Sequence, residues 1–111
     1  MDSTRQKKIN RLIQKELSEI FQREVGDIIG ATMVSATVVR VSSDLSIAKV
    51  YISIFPTEST EVIHSNIAEN CSKIRFMLGK RVGKQLRIIP ELKFFIDDSL
   101  DYANKIDDLL K

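Results

Sequence analysis

The segment IAKVYISIF, residues 47–55, alternates. Ala48, Val50, Ile52 and Ile54 fall on one side of an extended chain, and Lys49, Tyr51 and Ser53 on the other. Such a strand has one face to bury and one to leave wet. The sheet that contains it must therefore be covered on one side by another layer. The segment VSATVVRV, residues 34–41, is also rich in β-branched residues, and the turn-forming Ser42-Ser43-Asp44 stands between the two. Together they predict an antiparallel hairpin.

The covering layer is helical. Over residues 4–24, Ile9, Leu12, Ile13, Leu17, Ile20 and Phe21 recur at steps of three and four, giving one apolar stripe. Lys8, Arg11 and Lys15 repeat on the opposite side, with Lys7 close by. Gly26 and Gly30 punctuate the loop that follows. Beyond Pro56, helices are expected over about residues 60–70, using Val62, Ile63 and Ile67, and over about residues 72–86, using Ile74, Leu78 and Val82. Asn70-Cys71-Ser72 lies between them and predicts a kink, with Ser72 suited to an N-cap. Pro90 opens a third strand over residues 91–97, in which Leu92, Phe94 and Ile96 share a face. Asp97-Asp98-Ser99 caps a last short helix carrying Leu100, Ala103, Ile106 and Leu109. The order α-β-β-α-α-β, with a helix appended, predicts an α+β fold: a three-stranded sheet with helices on one face.

A chain of 111 residues with 43% hydrophobic content fits one domain spanning residues 1–111. No apolar run approaches the roughly 18 residues of a membrane span. Cys71 is the only cysteine, which favours a reducing, cytoplasmic setting.

Charge is where function shows. Residues 72–87, SKIRFMLGKRVGKQLR, hold six basic side chains (Lys73, Arg75, Lys80, Arg81, Lys84 and Arg87) and no acid. The whole chain is nearly balanced, 17 Lys and Arg against 15 Asp and Glu, so the positive charge is segregated. A concentrated basic face on a small domain meets a polyanion. On a helical wheel Lys73, Lys80 and Lys84 share a sector, with Arg81 at its edge, while Ile74, Leu78 and Val82 face the core. The free N–H groups at the start of this helix, near Ser72, would add a phosphate site. The competing reading is a solvated basic face without a ligand.

Two helices between strands, the second of them basic, resemble the KH class of RNA-binding domains, which clamps RNA through a Gly-x-x-Gly loop. This chain has no such loop: Gly26 and Gly30, like Gly79 and Gly83, enclose three residues. Over almost its whole length the chain resembles the bacterial ribosome-binding factor A family. The matching blocks run in order from Lys8-Ile9-Asn10-Arg11 and Gln14-Lys15-Glu16-Leu17 through Val41-Ser42-Ser43-Asp44-Leu45 and Ala48-Lys49-Val50-Tyr51-Ile52-Ser53. They continue with Ile74-Arg75, Leu78-Gly79-Lys80, then Leu86-Arg87-Ile88-Ile89-Pro90-Glu91-Leu92-Lys93-Phe94-Phe95, and close at Asp98-Ser99-Leu100. In three places the chain departs from the family pattern. Asn70-Cys71-Ser72 replaces an Ala-x-Gly kink, Gly26-Asp27-Ile28-Ile29-Gly30 replaces an Asp-Pro-Arg-like segment, and two residues are inserted around Gly83.

The resemblance implies a KH-like domain without the glycine loop that binds free or immature small ribosomal subunits and their 16S rRNA. It also implies a role in late maturation and 5′-end processing, importance in the cold, and no catalysis, cofactor, metal, membrane or small-molecule substrate. A monomer is expected. Lys73, Lys80, Arg81 and Lys84 are the first candidates for phosphate contacts, Arg75 and Arg87 the next, and Lys8, Arg11 and Lys15 a second surface. The alternatives are a general KH-like RNA chaperone and a protein-interaction module using the sheet face around Tyr51 and the acidic last helix.

Other signals point away from chemistry. Gly79-Lys80-Arg81-Val82-Gly83-Lys84 lacks the spacing, hydroxyl residue and preceding strand of a phosphate loop. His64 is a lone histidine, expected at the surface, and Cys71 reads as a small packing residue. The pairs Asp97-Asp98 and Asp107-Asp108 lack further metal ligands. Phe76, Phe94 and Phe95 could stack on bases, but periodicity assigns Phe94 to the core.

Overall fold

The computed structural model describes residues 3–97. The expected last helix, with Asp98-Ser99-Leu100 and Asp107-Asp108, lies outside the described residues. The elements are α1 (Thr4–Arg23), α2 (Gly26–Ile29), β1 (Met33–Val41), β2 (Ile47–Phe55), α3 (Thr60–Glu69), α4 (Cys71–Val82) and β3 (Glu91–Ile96). With the single turn of α2 set aside, the order is α-β-β-α-α-β. The sheet order is β1-β2-β3, with β1 and β2 antiparallel and β2 and β3 parallel. A parallel return needs a crossover, and α3 with α4 supplies it. All helices pack on one sheet face, so the fold is α+β as expected.

Ser3 starts α1 with a capping box: its Oγ accepts from Gln6 N and Gln6 Oε1 accepts from Ser3 N. Ile9, Ile13, Leu17, Ile20 and Phe21 bury the apolar stripe. The same helix carries a second, polar stripe. Gln6, Asn10 and Gln14 recur every four residues and run along the edge of β1. Asn10 Oδ1 accepts from Val41 N, Gln6 Nε2 donates to Val41 O, and Gln14 Nε2 donates to Ala36 O and Thr37 O. Part of the otherwise unpaired edge, at Ala36, Thr37 and Val41, is thereby satisfied.

The alternation of β1 breaks at Thr37, where a bulge leaves that residue opposite no partner. Val34 and Ala36 point inward before it, Val39 and Val41 after it. Thr37 Oγ1 donates to Tyr51 O and to the Asp97 carboxylate. The hairpin turn places Leu45 at φ 62°, a left-handed conformation costly for a branched side chain. Asp44 compensates: its Oδ1 accepts from Ser42 Oγ, Ser46 N and Ser46 Oγ. These bonds hold the carboxyl at a pKa of about 2 against the usual 3.8.

Four local expectations differ. The loop after α1 contains α2, whose Ile28 and Ile29 are buried. Val62 is 64% exposed, leaving Ile63 and Ile67 to anchor α3. The basic helix stops at Val82, so Lys84 stands in a turn and not on the helical wheel. Asn70, not Ser72, holds the α3–α4 junction (φ −105°, ψ 19°). Its amide donates to Asn66 O, while Asn66 Nδ2 donates to Ile28 O and fastens the junction to α2.

Candidate nucleic-acid interface

The six basic residues of the 72–87 run do not form one free cluster. Arg81 reaches across to α1, where its Nη1 lies 2.8 Å from Glu19 and 3.1 Å from Glu16, and its Nε 2.9 Å from Glu24. Only a quarter of its side chain is exposed. Bonding to the three carboxylates, Glu16 first, raises its already high pKa. Sequence reading placed Arg81 among the phosphate contacts; here its guanidinium joins two helices. Lys73 is exposed but lies 2.8 Å from Asp27 on α2. That hydrogen bond lowers the Asp27 pKa.

Arg75 has a mixed role. Its Nε and Nη2 donate to Pro90 O and Ile89 O, fixing the segment that leads into β3. A guanidinium has five N–H donors, so the exposed Arg75 keeps capacity toward solvent. Lys80 sits 4.8 Å from the ring centroid of Phe76, a residue 64% exposed. Lys84 and Arg87 are exposed, and so is the next residue, Ile88, at 67%.

Two concavities take in Arg75, Lys80 and Arg87; Lys84 lines neither. One, of about 590 Å³, is lined by Ser72, Arg75, Phe76, Gly79, Lys80 and Ile89. The other, of about 670 Å³, lies between the start of α1, the hairpin turn and residues 85–88, and places Arg5 and Lys8 near Arg87 and Ile88. Arg87 and Ile88, from the segment after α4, thus stand with Arg5 and Lys8 of α1, and Ile88 also lines a third concavity with Arg75 of α4. Arg11 and Lys15 are exposed farther along α1 and line neither concavity. Sequence reasoning missed Arg5; its three-residue spacing from Lys8 was the available signal.

His64, Cys71 and Phe94 have structural roles. His64 Nε2–H donates to Phe94 O at 2.9 Å, tying α3 to β3, so this half-buried residue is more than a surface histidine. Cys71 Sγ donates to Leu92 O at 3.1 Å, and burial pushes its thiol pKa up, with Glu91 adding to the effect. Phe94 is in the core, edge-on to Phe21. Among the described residues no group of His, Cys, Asp and Glu is placed to hold a metal ion. None of their helices is long and apolar enough to cross a membrane.

Residues 5–110 match the sequence model of the family Ribosome-binding factor A. A ribosome-binding factor A from Cytophaga hutchinsonii is 47% identical over 110 residues, covering 99% of this chain and 83% of that protein. The crystal structure of ribosome-binding factor A from Thermus thermophilus superposes with a TM-score of 0.68 at 22% identity, over 82% of this chain and 94% of that one. A homology model of the Thermus thermophilus factor, fitted into a cryo-EM map of a 30S complex, has a TM-score of 0.62 at 21% identity, over 80% and 91% of the two chains.

Proposed function

The chain belongs to the ribosome-binding factor A family, and from that premise we propose that it binds the small ribosomal subunit through its rRNA. It acts as a cytoplasmic, monomeric, single-domain binding factor and not as an enzyme. It assists late maturation of the subunit, including formation of the rRNA 5′ end, and its contribution grows in the cold, where rRNA leaves misfolded states slowly. The physical mechanism is preference. A ligand shifts a conformational equilibrium only by its differential affinity for the two states, so the protein favours the subunit conformation that fits its surface.

The observation that carries this reading is the belt formed by Arg75, Phe76, Lys80, Arg87 and Ile88, continued by Arg5 and Lys8. Cations interleaved with exposed apolar and aromatic groups suit a phosphate backbone with unstacked bases nearby. Arg81 is excluded from the contact set because its charge is already met by Glu16, Glu19 and Glu24. Lys73 is secondary, since a phosphate must displace Asp27.

The test is the triple variant Lys80→Glu, Lys84→Glu, Arg87→Glu. All three side chains are exposed, so folding should survive. Co-sedimentation with purified immature small subunits should weaken at least tenfold, and its dependence on salt should flatten as phosphate contacts are lost. Unchanged binding across a salt titration overturns the assignment.

A further inference from the structure

The sheet face turned away from the helices carries two parallel rows. Val38, Tyr51 and Phe95 stand opposite one another across the three strands, and so do Arg40, Lys49 and Lys93. The Tyr51 and Phe95 rings stack at 5.5 Å between centroids. Phe95 and Val38 are exposed, at 40% and 38%, as are all three cations. Like charges directly opposite on neighbouring strands repel, and among the described residues no carboxylate forms a salt bridge with any of the three. Glu91 is the one acidic side chain within the three strands and opens β3 two residues before Lys93; just past the strand's other end, the Asp97 carboxylate accepts from Thr37 Oγ1.

We propose that this sheet face is a second RNA-binding surface, taking a single-stranded segment whose bases stack on Tyr51 and Phe95 while its phosphates lie over Arg40, Lys49 and Lys93. The rows are two residues apart along each strand, about 7 Å. That is the reach from a base across its ribose to the phosphate. Stacking tolerates any base, because every base has a π-face. A duplex hides its bases and cannot use the aromatic row. The charge of the cation row selects a polyanion over an apolar partner. The proposal goes beyond subunit docking by the α4 belt: one molecule would hold two rRNA segments on opposite sides.

The experiment uses the full chain and a labelled uridine octanucleotide, read by fluorescence anisotropy across a salt series. Tyr51→Leu with Phe95→Leu keeps apolar side chains and removes the ring faces; it should weaken binding tenfold or more. Lys49→Ala with Lys93→Ala should weaken binding and flatten the log–log salt slope by about 1.4, the value for two phosphates on a single strand. Lys80→Glu with Arg87→Glu should leave octanucleotide binding within about twofold, although the same change should weaken subunit co-sedimentation severalfold. The two readings therefore fail separately. Circular dichroism of each variant confirms folding. Octanucleotide binding indifferent to both sheet variants, or lost only with the α4 variant, overturns the proposal. So does equal competition by duplex RNA. Concentration-dependent dimerisation that Lys49→Glu abolishes would assign the face to a second copy and overturns it too.

Discussion

Replacing Arg81 with Gln separates a helix-joining role from a phosphate contact. Three carboxylates, Glu16, Glu19 and Glu24, lie within 3.1 Å of its guanidinium, whose side chain is a quarter exposed. Exposed pairs contribute about 0.2–1 kcal/mol each. Here one side chain, ordered once, serves all three. Its removal also leaves Glu16, whose side chain is 17% exposed, and Glu19, one turn along α1, facing each other uncompensated. The expected loss is about 2 kcal/mol. For a domain of this size that lowers Tm by roughly 8 °C. Thermal unfolding followed by circular dichroism measures it. A double-mutant cycle with Glu16→Gln should return a coupling of about 1 kcal/mol that shrinks in high salt. Arg81→Lys should recover little of the loss, because an ammonium cannot fork toward three acceptors. Below the transition, Arg81→Gln should bind subunits within about twofold of the parent. Unchanged Tm with tenfold weaker subunit binding would refute the argument and return Arg81 to the rRNA contact set.

The hairpin turn should titrate in acid. The Asp44 carboxyl is held at about 2 against 3.8, so its contribution is fully present above about pH 4 and disappears as pH falls through 2. Asp44→Asn should flatten the stability profile between those values, and the carboxyl NMR shift of Asp44 should report the midpoint directly. Two glycines should respond oppositely to alanine. A Cβ at Gly83 would lie 2.7 Å from Gly79 O, so Gly83→Ala should destabilise by about 1–3 kcal/mol in urea unfolding. A Cβ at Gly26 meets nothing within 4 Å, so Gly26→Ala should be neutral or stabilising by up to about 1 kcal/mol.

The parts legible in the sequence are those in which period and neighbours suffice. The alternation of Ala48, Val50, Ile52 and Ile54 identified β2 and its buried face, and the steps between Ile9, Ile13, Leu17 and Phe21 identified the buried stripe of α1. The Thr37 bulge left a weaker trace: strict alternation from Val34 and Ala36 would point Val38 and Arg40 inward, whereas Val39 and Val41 are the buried pair. Helix α2 has four residues, too few to show a period. Gln6, Asn10 and Gln14 share the four-residue step of a helix face, but their partners are backbone atoms of β1, which no side-chain pattern records.

The candidate site was legible as charge but not as chemistry. A run of six cations without an acid, in a chain of 17 basic and 15 acidic residues, requires the acids to lie elsewhere. Several lie where α4 meets α1 and α2. The partners of Arg81 are 57 to 65 residues away, and that of Lys73 is 46 away. Helix α4 therefore has two basic flanks of different kinds. Lys73 and Arg81, eight residues apart, face Glu16, Glu19, Glu24 and Asp27 and hold the helical layer together. Arg75 turns the other way, toward the segment that leads into β3, and Lys80, in the sector of Lys73, lies over Phe76. The first flank makes the second effective. A helix anchored by ion pairs on one side holds its remaining cations at fixed spacing, and a fixed array loses less entropy on meeting phosphates than one ordered only on binding. A count of basic residues in the run includes two whose charges are already met by carboxylates, and it does not record that these two tie α4 to its neighbours.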